Sequence, residues 1–125
     1  MSENCYCGAD KSFELCCNLY ISGAQKAPTA LALMKSRYSA YATHQADYLL
    51  ATTHSSERKY YSLEEILHWA KANQWQKLEI ISATENTVEF KAYFIDGNNV
   101  NQIHYEFSTF EKENDSWFYV DGKFK

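Results

Sequence analysis

Hydrophobic and polar positions change their period once along this chain. In the first half the period is helical. Pro28 suits the opening turn of a helix. Leu31, Met34, Tyr38 and Tyr41 follow at steps of three, four and three, which lays them along one stripe. A short second helix is expected over Asp47 to Ala51. Ser62 is placed to cap a third, with Glu65 three residues on completing a capping box. Leu63, Ile66, Leu67 and Ala70 form the apolar face of that helix. Beyond Trp75 the period falls to two. Leu78 and Ile80 alternate with Glu79, although Ile81 breaks the pattern, and Val88, Phe90, Ala92 and Phe94 alternate cleanly. Asp96-Gly97-Asn98-Asn99 signals a hairpin. Ile103, Tyr105 and Phe107 share one face of the next strand, Glu113-Asn114-Asp115 turns the chain again, and Trp117 to Val120 is the last strand. Helices followed by a strand meander make an α+β layout, with the antiparallel sheet curling around the long first helix.

The totals narrow the class. A chain of 125 residues is about one domain and can bury a real core. Aromatic residues reach 16%, which supplies a large core or the walls of a pocket. The net charge of -4 argues against DNA as a partner. No apolar run approaches the ~20 residues that cross a bilayer. The opening MSENCYCG has no apolar signal segment, so the expected location is the cytoplasm, where thiols stay reduced.

All four cysteines, Cys5, Cys7, Cys16 and Cys17, fall within thirteen residues. Two pairs of close thiols joined by a short loop suit one tetrahedral ion, and zinc takes four thiolates in closed structural sites. Gly8 can supply the turn after the first pair. Folding of so small a knuckle would draw on metal binding. Iron and copper(I) are also acceptable to soft thiolates. Disulfides would need an oxidising compartment, and a redox dithiol would ordinarily show Cys-x-x-Cys spacing.

The stretch CYCGADKSFELCCNLYISG resembles the SEC-C motif, a small zinc-binding knuckle. It keeps the four cysteines, Gly8, Lys11 and an aromatic at Phe13. It departs at Tyr6, where proline is usual, at Ala9-Asp10, where Ser-Gly is usual, and at Asn18, where glycine is common. The stretches APTALALMKSRYSAYATHQADYLLATTH and YEFSTFEKENDSWFYVDG resemble the YchJ family, also called UPF0225, in the right order and spacing. Thr53, Ser55 and Thr109 depart from that family's Trp, Pro and Arg. The resemblance implies a nuclear transport factor 2-like cone at 24–125 behind a knuckle at 1–23. SEC-C modules are linked elsewhere to the SecB chaperone and to ribosomes, which implies a protein or ribosome-associated partner. Tyr6, Lys11 and Phe13 are then the first contact candidates.

Cones of this kind often hold a pocket, and polar residues can be nominated for it. Arg37 beside the helical stripe offers a fork for an anion. Tyr41 brings a hydroxyl among core aromatics. His54 can act as acid or base near neutral pH. Glu106, Ser108 and Phe110 share the strand face opposite Tyr105 and Phe107. Turned inward they are pocket groups; turned outward, the usual arrangement for a polar face, they are solvated. His44 and His68 read as helix-surface residues. Asp121-Gly122 is expected to end the last strand in a turn. No phosphate loop, nucleophile elbow or fixed-spacing catalytic dyad is present.

Two functions therefore compete foremost, with a redox or metal-delivery role for the thiols as a third. One is a non-catalytic, metal-stabilised interaction module. The alternative is an enzyme or binder of a small molecule, using Arg37, Tyr41, His54, Glu106 and Ser108. A deep cavity lined by these groups favours the second; a filled cone with an exposed knuckle favours the first.

Overall fold

The computed structural model describes residues 4–124. Four α-helices come first: α1 (Asn18–Ile21), α2 (Ala30–Ala42), α3 (Ala46–Ala51) and α4 (Leu63–Ala72). Four strands follow: β1 (Gln74–Ala83), β2 (Thr87–Ile95), β3 (Asn101–Glu113) and β4 (Ser116–Phe124). They form one antiparallel meander in the order β1-β2-β3-β4. The α+β expectation holds, with helices packed on a curved sheet.

Helix α2 starts just after Pro28. Thr29 is the cap, its hydroxyl oxygen accepting from the Ala32 N–H at 3.0 Å. Pro28 stays outside, and its carbonyl accepts from Trp117 Nε1 at 3.4 Å. The buried surface of α2 is much wider than the expected stripe. Leu33, Ser36, Arg37, Ser39 and Ala40 are buried along with Met34 and Tyr38. Different elements cover its different sides. The sheet packs on Met34 and Tyr38, α3 bonds to Ser36 and Arg37, and the cysteines reach Ser39. After Thr43 closes α2, His44 takes a left-handed φ of 62° and turns the chain toward α3. It belongs to a turn, not to a helix surface.

Ser62 caps α4 as expected, accepting from the Glu65 N–H at 3.0 Å. That helix is held loosely. Only Ala70 of its apolar face is buried, and Leu63 is exposed.

The sheet bends where it is bulged. Ile81, which broke the alternation, is the extra residue between Ile80 and Ser82 in the β1–β2 register. A second irregularity lies at Trp75/Lys77 and a third opposite Thr109/Phe110. Both predicted turns form. Asp96 Oδ1 accepts the N–H groups of Asn98 and Val100. Asn114 and Asp115 both have positive φ, 53° and 65°, as a tight two-residue hairpin turn needs.

Strand β3 turns its polar face inward. Glu106, Ser108 and Phe110 are buried, whereas Ile103 is 56% exposed. The β2 register explains this. Val88, Phe90 and Ala92 face the core and pair with Ser108, Glu106 and His104. Directly paired residues share a face, so the apolar side of β2 commits these three to the interior.

Candidate functional site

Two separate constellations emerge. The first is the cysteine cluster. Gly8, at φ 95°, turns the first pair, and its N–H bonds to the Cys5 carbonyl at 3.0 Å. A single 3-10 turn at Phe13–Leu15 then brings Cys16 and Cys17 back. The four Sγ atoms lie within 4.8 Å of one another, with Cys7 and Cys16 at 3.8 Å. Thiolates ~2.3 Å from one tetrahedral ion would be ~3.8 Å apart. The donor set therefore fits a thiophilic ion and closes around it. All four thiols are free, so no disulfide competes. Their protons are shared unevenly: the hydrogen bond from Cys17 pulls the Cys7 thiol down to about 5. Burial pushes Cys16 up to about 11, while its bond to Cys7 and then burial push Cys17 up. One thiolate is thus favoured before any ion binds, and ligation displaces the remaining protons.

This cluster is seated on the cone. Cys5 Sγ lies 3.6 Å from Ser39 Oγ on α2, and Leu78 of β1 packs against the cysteines. Outward, Tyr6 and Lys11 are exposed, and Phe13 is half-buried edge-on to Tyr6 at 5.4 Å.

The second constellation is a cavity of about 410 Å³ between the helices and the concave sheet. Its aromatic wall centres on Trp75. Tyr41 and Trp69 lie 5.5 and 6.1 Å from that ring, Phe94 packs against it at 5.0 Å without lining the cavity, and the indole N–H bonds to Ala70 O at 3.1 Å. The polar wall centres on Glu106, 6% exposed. His104 Nε2 donates to Oε1 at 2.6 Å. Ser108 and the Tyr119 hydroxyl donate to Oε2 at 2.5 and 3.1 Å. Burial alone would raise this carboxyl. The bonds from His104 and Ser108, the His104 charge and the Tyr119 bond outweigh it and hold the carboxyl below its ordinary value. Arg37 enters from α2. Its Nη1 donates to Leu49 O at 2.8 Å and Thr52 Oγ1 at 2.6 Å, and its guanidinium lies 4.6 Å over the Tyr119 ring. Burial raises the Tyr41 and Tyr119 hydroxyls, Glu106 adding to both, so both stay protonated; Tyr119 spends its proton on Glu106.

Gly122 completes the site, and sequence reading misplaced it. The Asp121-Gly122 pair does not end the strand, because β4 continues to Phe124. Gly122 pairs with Ser108. A Cβ there would overlap the Glu106 carboxylate and crowd the Tyr119 hydroxyl. A glycine inside a strand is the sequence signal of such a close approach.

Four of the five nominated pocket residues, Arg37, Tyr41, Glu106 and Ser108, line the cavity. His54 does not, and the backbone gives the reason. Thr53 and Tyr119 form a bridge, and the His54 N–H bonds to Tyr119 O at 2.7 Å. Thr53 points into the cavity, so its neighbour in this extended segment points out. His54 Nε2 meets Glu113 at 2.9 Å and Glu111 at 3.9 Å. These three could gather round a metal ion. Both carboxylates are exposed, however, and the close Glu113 contact is already made as a hydrogen bond from His54 Nε2–H, so the cluster stands without an ion. His104 belongs to the cavity in place of His54. Its signal was the two-residue step before Glu106.

A curved meander around a long helix, a polar cavity inside it and a four-cysteine knuckle define an NTF2-like domain carrying a SEC-C motif. The family profile "YchJ, middle NTF2-like domain" matches residues 29–122. The chain belongs to the YchJ, or UPF0225, family. A UPF0225 protein of Geobacter sulfurreducens is 37% identical, covering 98% of this chain and 80% of that protein. The UPF0225 protein YchJ of Shigella dysenteriae is also 37% identical, covering 98% and 84%. The solution structure of a SEC-C motif containing protein from Rhodopseudomonas palustris superposes with a TM-score of 0.88 at 32% identity, covering 97% of this chain and 98% of that one. A crystal structure of a SEC-C motif containing protein from Psychrobacter arcticus gives 0.80 at 30% identity, covering 95% and 81%. No helix among the described residues is long and apolar enough to cross a membrane.

Proposed function

We propose that this protein binds a small organic molecule in the cone cavity, and that zinc in the Cys5, Cys7, Cys16, Cys17 cluster is a structural clamp. A four-thiolate site has no open position for substrate, so the ion would hold the N-terminal segment on α2 without acting on the ligand. Iron suits the same thiolates. The free thiols fit a reducing cytoplasm. One observation carries the ligand reading: Arg37 and Glu106, opposite charges and each more than nine-tenths buried, line one cavity without pairing to each other. A core built for stability alone gains little from such groups. Pockets of this size and mixed lining are the usual form of a small-molecule site.

The competing reading, docking on a protein or ribosomal partner through Tyr6, Lys11 and Phe13, has the exposed Tyr6 and Leu15 in its favour. It explains neither the enclosed charges nor the space left for Glu106 by Gly122. The test is an NMR-detected screen of small fragments against the metal-loaded protein. Shifts should cluster on the Trp69 and Trp75 indoles and on Tyr41. Hits that perturb only residues outside the cavity, or a screen without hits, would defeat the reading.

A further inference from the structure

We propose that the cavity takes a small monocarboxylate with an aromatic body, its carboxylate on the free edge of Arg37 and on the Tyr41 hydroxyl. The proposal rests on the ligand-binding reading above and names the ligand's chemistry.

Glu106 is nearly saturated. Its oxygens accept from His104, Ser108 and Tyr119, which leaves little capacity for a further donor. An amine entering here would have to displace those bonds. Arg37 is the opposite case. It is 9% exposed, and Nη1 alone meets protein acceptors, Leu49 O and Thr52 Oγ1. Among the described residues, Nε and Nη2 have no hydrogen-bond partner, and no carboxylate lies within ion-pair distance of the guanidinium. Yet no side-chain donor in the described protein is both fully shut off from space and unbonded. The unused edge therefore opens on the cavity that Arg37 lines. A buried cation without a counter-ion is costly, and an incoming carboxylate is what a guanidinium edge is shaped to accept as a pair of parallel bonds.

The neutral groups point the same way. The hydroxyls of Tyr38 and Tyr41 line this space and also have no hydrogen-bond partner among the described residues. What the cavity offers a ligand is donors. Glu106 sets the limit on charge, because its carboxylate shares the space and repels a second negative charge. A dianionic phosphate is therefore disfavoured and a single planar carboxylate fits. The rest of the lining, Trp69, Trp75 and Phe90 foremost, gives ring faces and edges to an aromatic body.

The experiment titrates the metal-loaded protein with 3-phenylpropionate, its amide, the corresponding amine and phenyl phosphate. Binding is followed by calorimetry and by the Arg37 Nε–H resonance. The acid should bind about tenfold or more tightly than its amide and amine, as expected for a charge-assisted bond to a buried cation. It should shift the Arg37 Nε–H signal, and phenyl phosphate should bind more weakly. Tyr41→Phe should reduce affinity for the acid and leave the amine unaffected. If amide or amine binds in the cavity as tightly as the acid, or the acid leaves the Arg37 signal unmoved, the carboxylate assignment falls while the ligand-binding reading stands. If none of the four binds, both fall.

Discussion

Glu106 is the residue on which the cavity turns, and its state is set by neighbours on two strands. Its carboxyl titrates below its ordinary value of 4.5 because the bonds it accepts outweigh burial. A carboxyl lowered in the folded state stabilises the fold above its unfolded value, and that contribution fades as pH falls through the folded value. Gly122 makes this possible by leaving room for the carboxylate. Gly122→Ala should therefore expel Glu106 from its bonds and cost roughly 2–4 kcal/mol at pH 7, in the range for breaking a buried hydrogen-bonded network. Because the variant no longer holds a lowered carboxyl, its deficit against the native protein should shrink below pH 4.5. Urea unfolding of both proteins from pH 7 to pH 3 measures this. A deficit that is constant across that range would mean that Gly122 acts by making room for the Tyr119 hydroxyl and not through Glu106.

At the scale of elements, α2 and α4 contrast. Helix α2 is enclosed by the sheet, α3 and the cysteine cluster, so it carries no clean amphipathic pattern. Helix α4 has a clear apolar face, yet it covers one side of the cavity with only Ala70 buried. Its specific anchors include the Ser62 cap, the Asn73 side-chain bond to Trp69 O, the Trp75 indole bond to Ala70 O and the packing of Trp69 on Trp75 and Phe94. Segments with few buried apolar contacts open at lower free energy than the core. Amide exchange should therefore show α4 opening well before α2 and β2. Ser62→Ala should lower the α4 opening energy by about 1 kcal/mol, the usual value of such a cap. Protection in α4 equal to that in β2 would show that the helix is part of the central cooperative unit.

At the scale of the whole molecule, the knuckle and the cone share contacts. Ser39 and Leu78 belong to the cone and touch the cysteines. The binding energy of an ion held by this cluster, as proposed above, should therefore stabilise more than the segment that holds it. Removing the metal with a chelator under reducing conditions should release about one ion per chain and lower the melting temperature of the cone by roughly 5–10 °C. Amide shifts should extend from the cysteines to Ser39 and Leu78. A melting temperature that does not change on complete removal would make the two units energetically independent.

The sequence by itself determined α2, α3 and α4, the strand meander, the two polar hairpin turns at Asp96–Asn99 and Glu113–Asp115, and the quartet of sulfurs. Each of these is written in local spacing: a period of three to four or of two, a capping serine, a pair of turn residues, four thiols in one short loop. Even the break at Ile81 was visible as a break before it was known to be a bulge. The interior was decided only by tertiary structure. The face of β3 that turns inward depends on its register with β2, and that register put Glu106 and Ser108 inside while Ile103 went out to solvent. Backbone alternation at the Thr53–Tyr119 bridge turned His54 away from the cavity, and pairing between β3 and β4 set Gly122 against Glu106. These are contacts between residues far apart in the chain, which hydrophobic period alone does not encode.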